Sequence, residues 1–311
     1  MLIDSLAQLE SYNSKLQTAK INCFPALNSK KIILMASPEA FTVQYKINPH
    51  MLNPDGSLKQ VDKARALLQW QQLKAKYEEL GFQVEVLPAV AGLPDFVFAA
   101  NQSFPYFDLK TQKPAIILSA MASEFRQPEV DLYRKWYESK SFSVRNFVDL
   151  DLRFEGNGDA LLDKKRKLIF GGYGFRTDKK AYEALATLTD YPIVRLQLID
   201  ERFYHLDTCF AILSDDTVAL YAKAFSSESL SLIKNLFPQI IEVNLTESSE
   251  GFACNCHSPD QKNVILQAGN IEFEKKLREQ GFIPHPLDTS EFMKSGGSVF
   301  CMKMEVPAPE L

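Results

Sequence analysis

The chain of 311 residues is 46% hydrophobic, which is enough to bury a large core in a closed α/β domain. A net charge of −4 without a basic stripe excludes nucleic acid as the expected partner. No apolar run approaches membrane-spanning length, and residues 1–10 lack a signal-peptide pattern. We therefore expect a cytoplasmic protein that makes no membrane contact.

The cysteines agree with that compartment. An odd number in a large chain without a secretory pattern favours reduced thiols, so a catalytic thiol is available among Cys23, Cys209, Cys254, Cys256 and Cys301. The run from Cys254 to His257 lacks the second ligand pair of a zinc site. No glycine fingerprint for a dinucleotide is present. Neither a metal nor a cofactor is predicted.

The predicted elements alternate between helices and short apolar strands. Residues 1–30 read as a lead-in helix and loop, and residues 31–311 as a single catalytic domain. A strand is predicted from Lys31 to Met35 and a helix from Val61 to Leu80, which Gly81 ends. Further helices are predicted at 128–140, 178–189, 226–237 and 270–280, with Asp178 and Asn270 as N-caps.

The predicted helices and strands also form a longer repeating unit. After each helix come a short strand, a polar insertion and two apolar runs joined by a tight turn, and this happens five times. The fifth unit lacks its last strand, which the strand at Lys31 to Met35 is free to supply. The pattern predicts a five-bladed, pseudo-symmetric α/β propeller closed by the N-terminal strand. A doubly wound sheet is the alternative, but it needs one strand per helix where about three are counted.

Polar residues recur at the same place in every unit. They are spaced by about fifty residues and are Asn101, Glu155, His205, Asn255 and Cys301. Equivalent positions of a five-fold ring converge on its axis, so we expect one central cavity to hold them. Each also has a purely structural alternative: a buried inert thiol on an apolar strand for Cys301, a turn residue for Glu155 and Asn255, and support of the loop after Phe98 for Asn101.

Two more carboxylates lie in these insertions. His205 and Asp207 are expected on one face of the strand that continues through Cys209 to Leu213. A hydrogen bond between the two that only stabilises the strand end is the alternative. Asp95 follows a proline and is either a further site carboxylate or the cap of a turn.

The residue types favour one chemistry. A free thiol with a pKa near ~8.5 is only slightly ionised at neutral pH, and neighbouring carboxylates suppress its ionisation further. Carboxylates such as Glu155 and Asp207 beside Cys301 therefore favour a cationic substrate. A guanidinium fits, because its planar N–H donors match carboxylates in pairs. Cys301 would attack its central carbon, His205 would protonate the departing amine, and water would release the covalent adduct.

Several motifs resemble the guanidine-modifying (pentein) superfamily. They are the stretches 95–101, 153–161, 172–177 and 204–208, and Gly296-Gly297 before Cys301. The resemblance covers roughly residues 31–306 and is strongest to the amidinohydrolase domain of bacterial arginine dihydrolases. It implies a five-bladed α/β propeller, a small guanidino substrate, and no cofactor. It leaves open whether the protein forms a homo-oligomer.

The resemblance also implies roles for individual residues. Cys301 would be the nucleophile, His205 the acid/base, and Glu155 and Asp207 the guanidinium partners. Arg126 and Arg176 would hold the substrate's α-carboxylate. Asn101, Asp95 and Asn255 complete the candidate substrate-binding set.

This chain departs from the family pattern at three places. Gln102-Ser103 stands where relatives carry Ala-Gly, and Ala120 and Ala122 stand where arginines are common. Lys303 replaces a common threonine two residues after Cys301. On a regular strand Lys303 would share a face with Cys301 and favour the thiolate; the alternative is that it points to solvent.

The predicted product depends on the presence of asparagine at position 101. Deiminases and dimethylarginine hydrolases carry an aspartate there, which only accepts hydrogen bonds, whereas arginine dihydrolases carry asparagine. An amide both donates and accepts, so it is expected to hold a guanidinium first and a ureido group afterwards. We therefore expect arginine to be hydrolysed twice, to ornithine, carbon dioxide and two ammonia. The alternatives are dimethylarginine hydrolysis, arginine deimination to citrulline, amidino transfer, and a non-catalytic arginine sensor.

Overall fold

The computed structural model describes residues 1–18, 31–147 and 151–307. The strands in these ranges are β1 (Leu2–Ile3), β2 (Lys31–Ala36), β3 (Gln83–Leu87), β4 (Ser103–Asp108), β5 (Lys113–Leu118), β6 (Ser143–Arg145), β7 (Ala160–Asp163), β8 (Leu168–Tyr173), β9 (Ile193–Gln197), β10 (Phe210–Ile212), β11 (Thr217–Leu220), β12 (Gln239–Glu242), β13 (Asn263–Gln267), β14 (Ile283–Leu287) and β15 (Met304–Pro307). The helices are α1 (Leu6–Thr18), α2 (Lys63–Glu79), α3 (Gln127–Ser139), α4 (Gly156–Asp159), α5 (Ala181–Leu188), α6 (Ser227–Leu236), α7 (Leu245–Ser249), α8 (Ile271–Glu279) and α9 (Ser290–Met293).

The strands of the described ranges form five separate sheets with one recurring arrangement. An antiparallel pair is followed by a strand that comes after a helix and pairs in parallel, as in β4-β5-β6, β7-β8-β9 and β10-β11-β12. The sheet of β13 and β14 has the same order, with the antiparallel bridge His257–Ile265 in place of the first strand. A single doubly wound sheet is thereby ruled out.

The two ends of the domain meet in the remaining sheet. The C-terminal strand β15 pairs antiparallel with β2, and β2 pairs in parallel with β3. The prediction that the strand near Lys31 completes the last unit is confirmed. At the N-terminal end of the lead-in, β1 pairs in parallel with β9. The loop predicted for the rest of the lead-in, and Cys23 with it, falls at 19–30, outside the described residues.

The five predicted long helices are present as α2, α3, α5, α6 and α8, with ends that differ by a few residues. One predicted cap is wrong. Helix α5 begins at Ala181 after Lys180, because the Asp178 carboxylate instead binds the backbone N–H and guanidinium of Arg153. Asn270 does precede α8, but its amide donates to the carbonyls of Gly251 and Gln267 and makes no cap bond.

The core places the loop around Cys301 against a rigid helix. Helix α2 buries Leu73 and Tyr77 in a cluster that also contains Val299, Cys301 and Met302. Each large apolar side chain buried in this way stabilises the fold by roughly 1.5–3 kcal/mol. Cys301 is therefore held by packing as well as by hydrogen bonds. None of the described helices is long and apolar enough to cross a bilayer.

Candidate active site

A cavity of about 270 Å³ lies where the polar insertions of several units meet. Six of the predicted residues line it: Asp95, Asn101, Arg126, Arg176, His205 and Cys301. Glu155, Asp207 and Asn255 lie behind this wall and contact its members directly. The structure thus brings together residues spread over two hundred positions of the chain, as the spacing predicted.

Cys301 sits in a turn before β15 and is buried, so its predicted place within a strand is wrong. Its Sγ donates a hydrogen bond to Asp207 Oδ2 at 3.2 Å and accepts one from Asn255 Nδ2 at 3.1 Å. Asn255 Oδ1 also accepts the backbone N–H groups of Ser298 and Cys301, at 3.0 and 3.2 Å. Asn255 therefore fixes both the thiol and the turn that carries it.

The electrostatics around the thiol keep it protonated in the free protein. Burial first, and the adjacent Asp207 second, raise the pKa of Cys301 well above its usual value. Burial also raises the pKa of Asp207 to about 7, against the opposing effect of the thiol's hydrogen bond. A cation placed between the two groups would reverse both shifts, because it stabilises thiolate and carboxylate together.

His205 pairs with Glu155, not with Asp207. Its Nε2 lies 2.6 Å from Glu155 Oε2, and both side chains are buried. The Arg176 guanidinium donates to the same oxygen at 3.0 Å, and the Ala122 N–H donates to Oε1 at 3.0 Å. Burial by itself raises the pKa of Glu155, but Arg176 and His205 outweigh it and hold that pKa well below its usual range. Glu155 is thus a fixed negative charge.

The expectation that His205 and Asp207 share one face of a strand is wrong. Leu206–Thr208 is a turn of 3₁₀ helix, and the strand begins only at Phe210. Asp159 imposes this turn by accepting the Leu206 N–H at 2.9 Å. The turn sends the two side chains to different partners, His205 to Glu155 and Asp207 to Cys301.

The side-chain oxygen of Asn101 is hydrogen-bonded, and the side-chain nitrogen is not. Arg126 donates to Asn101 Oδ1 at 2.9 Å. Because a guanidinium only donates, the amide must present its oxygen there and turn its NH₂ away. That Nδ2 is buried without a partner among the described residues, beside Gly158, where a Cβ would clash with it. The free group of the Asn101 side chain is therefore a hydrogen-bond donor, and of the predicted donor and acceptor roles toward a ligand only the donor role remains.

A second buried atom of the site also lacks a partner. Asp207 Oδ1, an acceptor, makes no hydrogen bond within the described ranges. Buried polar atoms are nearly always paired, so an unpaired donor on Asn101 and an unpaired acceptor on Asp207 mark places for ligand atoms.

Arg126 has its donors distributed over protein acceptors. Its guanidinium pairs with Glu129 at 2.9 Å and donates to the carbonyls of Asp95 and Phe98. Gln102 donates to the same Glu129 carboxylate at 2.6 Å, which gives the departure at position 102 a structural explanation. Burial raises the pKa of Glu129 to about 7 despite these donors. Arg126 thus organises the loop that carries Asp95 and Asn101.

The Asp95 carboxylate is similarly fixed. It accepts hydrogen bonds from Tyr45 and Ser295, both at 2.8 Å, so two loops from opposite ends of the domain converge on it. The sequence reasoning missed Tyr45. It also missed Tyr204, whose ring lies 4.9 Å from the Arg176 guanidinium. Tyr204 directly precedes His205 in the chain, and an aromatic residue beside a candidate acid/base was the available signal.

The remaining described thiols are chemically quiet. Burial raises the pKa of Cys254 to about 12 and that of Cys209 well above its usual value. His257 pairs with Tyr77 and Glu305 rather than with Cys254 or Cys256. Among the residues that the structure describes, no group of His, Cys, Asp and Glu has the arrangement of a metal site.

Comparison with known proteins places this geometry in context. The profile of the family described as "N,N dimethylarginine dimethylhydrolase, eukaryotic" matches residues 37–308. The N(G),N(G)-dimethylarginine dimethylaminohydrolase of Mycobacterium tuberculosis is 36% identical over 276 residues, which cover 88% of this chain and 84% of that enzyme. The bifunctional arginine dihydrolase/ornithine cyclodeaminase ArgZ of Synechocystis is 34% identical over 280 residues, which cover 90% of this chain but only 38% of ArgZ.

The solved structures account for that partial coverage. The crystal structure of the N-terminal domain of ArgZ bound to its substrate has a TM-score of 0.82 and 33% identity, and the match covers 91% of this chain and 100% of that domain. A second structure of that domain, covalently bound to a reaction intermediate, also has a TM-score of 0.82. The mixed α/β fold described above is the fold of these proteins.

Proposed function

The chain belongs to the N,N-dimethylarginine dimethylhydrolase family and is a hydrolase acting on guanidino C–N bonds, and we propose that its own reaction is the conversion of arginine to ornithine through a covalent adduct on Cys301. The observation that carries this choice is the buried, unpartnered Nδ2 of Asn101. A donor at that point can bind the carbonyl oxygen of a ureido group, whereas the guanidinium of arginine, which has only N–H donors, would be held by the carboxylates of Glu155 and Asp207. The site is therefore equipped for a second hydrolysis.

The first hydrolysis begins when the substrate guanidinium lies between Glu155 and Asp207. Its charge lowers the pKa of Cys301, the thiol proton passes to His205, and the thiolate bonds to the guanidino carbon. His205, held by Glu155, protonates the departing nitrogen, and ammonia is released. Water then adds to the thioether carbon, His205 takes its proton, and the C–S bond breaks to give citrulline.

The second hydrolysis repeats these steps on the ureido carbon. Asn101 Nδ2 would bind the ureido oxygen, on which negative charge develops when Cys301 attacks. Ammonia leaves again, and water releases the carbonyl carbon as carbon dioxide with free ornithine. The balance is one arginine and two waters giving one ornithine, one carbon dioxide and two ammonia.

The arginines of the site have different roles in this proposal. Arg176 pairs with Glu155 at the place that a substrate guanidinium would take, so we expect the substrate to displace it. A displaced Arg176 is free to bind the α-carboxylate. Arg126 has protein acceptors on all sides and positions Asn101 and Asp95.

The proposal extends to the architecture. We take the five sheets as the blades of a propeller around the cavity, within one catalytic domain over 31–311. A cytoplasmic location fits the reduced thiol that the chemistry needs.

Dimethylarginine hydrolysis is the second candidate, and the M. tuberculosis relative at 36% identity favours it. The two candidates differ in their products, because removal of dimethylamine from dimethylarginine ends at citrulline. Purified protein is incubated separately with arginine and with dimethylarginine, and ammonia, dimethylamine, citrulline and ornithine are measured. We expect two ammonia and one ornithine per arginine. Stoichiometric citrulline without ornithine would contradict the proposal.

Asp207→Asn is expected to affect the free thiol and turnover in opposite directions. Loss of the neighbouring negative charge lowers the pKa of Cys301, so alkylation by iodoacetamide should reach half its maximal rate at a pH roughly one unit lower or more. Loss of a guanidinium partner should slow turnover about 100-fold. Mass spectrometry assigns the alkylated thiol, and exposed Asp216→Asn is the matched control. An unchanged alkylation profile would show that Asp207 does not govern the thiol.

A further inference from the structure

A second and much larger cavity lies behind the catalytic loops. Its empty space is about 1270 Å³, part of it open to solvent, compared with about 270 Å³ for the catalytic cavity. Apolar side chains form most of its wall, among them Tyr106, Leu161, Leu213 and Phe300. Cavities that bind small molecules have this composition, an apolar wall with a few convergent polar groups.

One cation at the inner end of this cavity lacks an anionic partner. Lys303 is 1% exposed, and its Nζ lies over the Phe300 ring, 3.4 Å from the ring centre. Within the described ranges no carboxylate forms a direct ion pair with it. Lys303 directly precedes β15 and is not part of a strand, and because it is buried the predicted alternative of a side chain that points to solvent is wrong. Burial lowers the pKa of this ammonium to about 8, so it is still mainly charged at neutral pH.

The other cations of the cavity wall are already paired. Glu305, nearer the solvent, binds Lys164 at 2.7 Å and Lys31 at 3.2 Å, and His257 Nε2 lies 3.4 Å from it. Burial is the main cause that lowers the pKa of His257 to about 3, which makes this ring neutral. Lys31 and Lys164 thus share Glu305, and Lys303 has no carboxylate of its own. The other two carboxylates of the wall are Asp163, which pairs with Arg166 at 2.8 Å, and Asp215.

A hydroxyl in the same wall is also without a partner. Ser258 lines the cavity and is partly exposed, and its buried Oγ makes no hydrogen bond among the described residues. An ammonium and a hydroxyl donate enough hydrogen bonds for the two oxygens of a carboxylate. A phosphate dianion would keep part of its negative charge uncompensated, because Lys303 is the single unpaired cation that faces it.

We propose that this cavity is a second ligand site, which binds a small monocarboxylate with an apolar body. The carboxylate lies against Lys303 Nζ and Ser258 Oγ, and the apolar part packs on Phe300 and Leu213. The site is separate from the guanidino site and does not depend on which product that site releases.

The position of this second site couples it to the catalytic loops. Phe300 and Lys303 flank Cys301, and Asn157, which also lines the cavity, follows Glu155 by two residues. An occupant therefore lies against the back of both loops. Its negative charge would offset the positive potential that Lys303 exerts on Cys301 and Asp207.

Isothermal titration of the full-length protein tests the proposal without measuring turnover. Phenylacetate supplies the carboxylate and the apolar body, phenylacetamide has the same shape without the charge, and acetate lacks the body. We expect phenylacetate to bind with one site per chain and the other two compounds to bind at least about 10-fold more weakly. No measurable binding of phenylacetate at millimolar concentration would overturn the proposal, and so would equal binding of phenylacetamide.

Variants locate the bound carboxylate. Lys303→Met should weaken phenylacetate binding about 10- to 100-fold, and Ser258→Ala should weaken it several-fold without lowering the unfolding midpoint. The matched control is Lys165→Met, because Lys165 pairs with Asp216 outside the cavity. Binding that survives in Lys303→Met but is lost in Arg176→Met would place the ligand in the catalytic cavity and overturn the proposal.

Discussion

Cys301→Ser is expected to abolish turnover of arginine, with a loss of about 10³-fold or more. The substitution changes one buried atom, and serine keeps the hydrogen-bonding capacity toward Asp207 and Asn255, so the fold should persist. A hydroxyl is far less acidic than a thiol, and the positive charge of a bound guanidinium cannot ionise it at neutral pH. Steady-state ammonia release measures the loss, and circular dichroism checks the fold.

The adduct itself provides a second measurement. Mass spectrometry of wild-type protein quenched during turnover should show the substrate-derived mass on the peptide that contains Cys301. Cys254→Ser is the matched control, because Cys254 lies in an apolar cluster away from the cavity. We expect this variant to lose little activity. An adduct on Cys254 or Cys256, or an active Cys301→Ser variant, would reject Cys301 as nucleophile.

Asn101→Asp is expected to make the enzyme stop at citrulline. One oxygen of the new carboxylate would keep the contact with Arg126, and the other would face the cavity as an acceptor in place of the Nδ2 donor. That arrangement still suits a guanidinium, but it repels the carbonyl oxygen of a ureido group. Ornithine formation should fall about 100-fold or more, the cost of replacing a hydrogen bond with a buried repulsion. Time courses of citrulline and ornithine measure the effect.

The control for this variant is the same chemical change on the surface. Asn235 lies on the exposed side of α6, and Asn235→Asp should leave the product ratio unchanged. If wild type and Asn101→Asp release ornithine at equal rates, Asn101 does not select the product. If Asn101→Asp loses the first hydrolysis as well, with KM for arginine raised, the added charge has disturbed Arg126 and its loop.

The periodic features of this protein could be predicted from its amino-acid pattern. The repeat of helix, strand and insertion predicted three strands per helix, and the sheets β4-β5-β6 and β10-β11-β12 have that arrangement. Pairing of β15 with β2 followed from the incomplete fifth unit. The near-regular spacing from Asn101 to Cys301 predicted one shared cavity. These features are readable because hydrophobic period and turn chemistry are local, and a repeat multiplies a local signal.

The pairing of the side chains, by contrast, depends on the folded arrangement of the chain. Asp159, which is 47 residues before Leu206 in the chain, accepts the Leu206 N–H in the 3₁₀ turn at 206–208 that separates His205 from Asp207. Arg126 faces Asn101 only because α3 packs beside the loop at 94–101, and this contact sets the direction of the amide. Lys303 is buried because the chain turns at Cys301 before β15 begins. Each outcome depends on contacts between residues distant in sequence, and the pKa of a buried group follows from those contacts rather than from its neighbours along the chain.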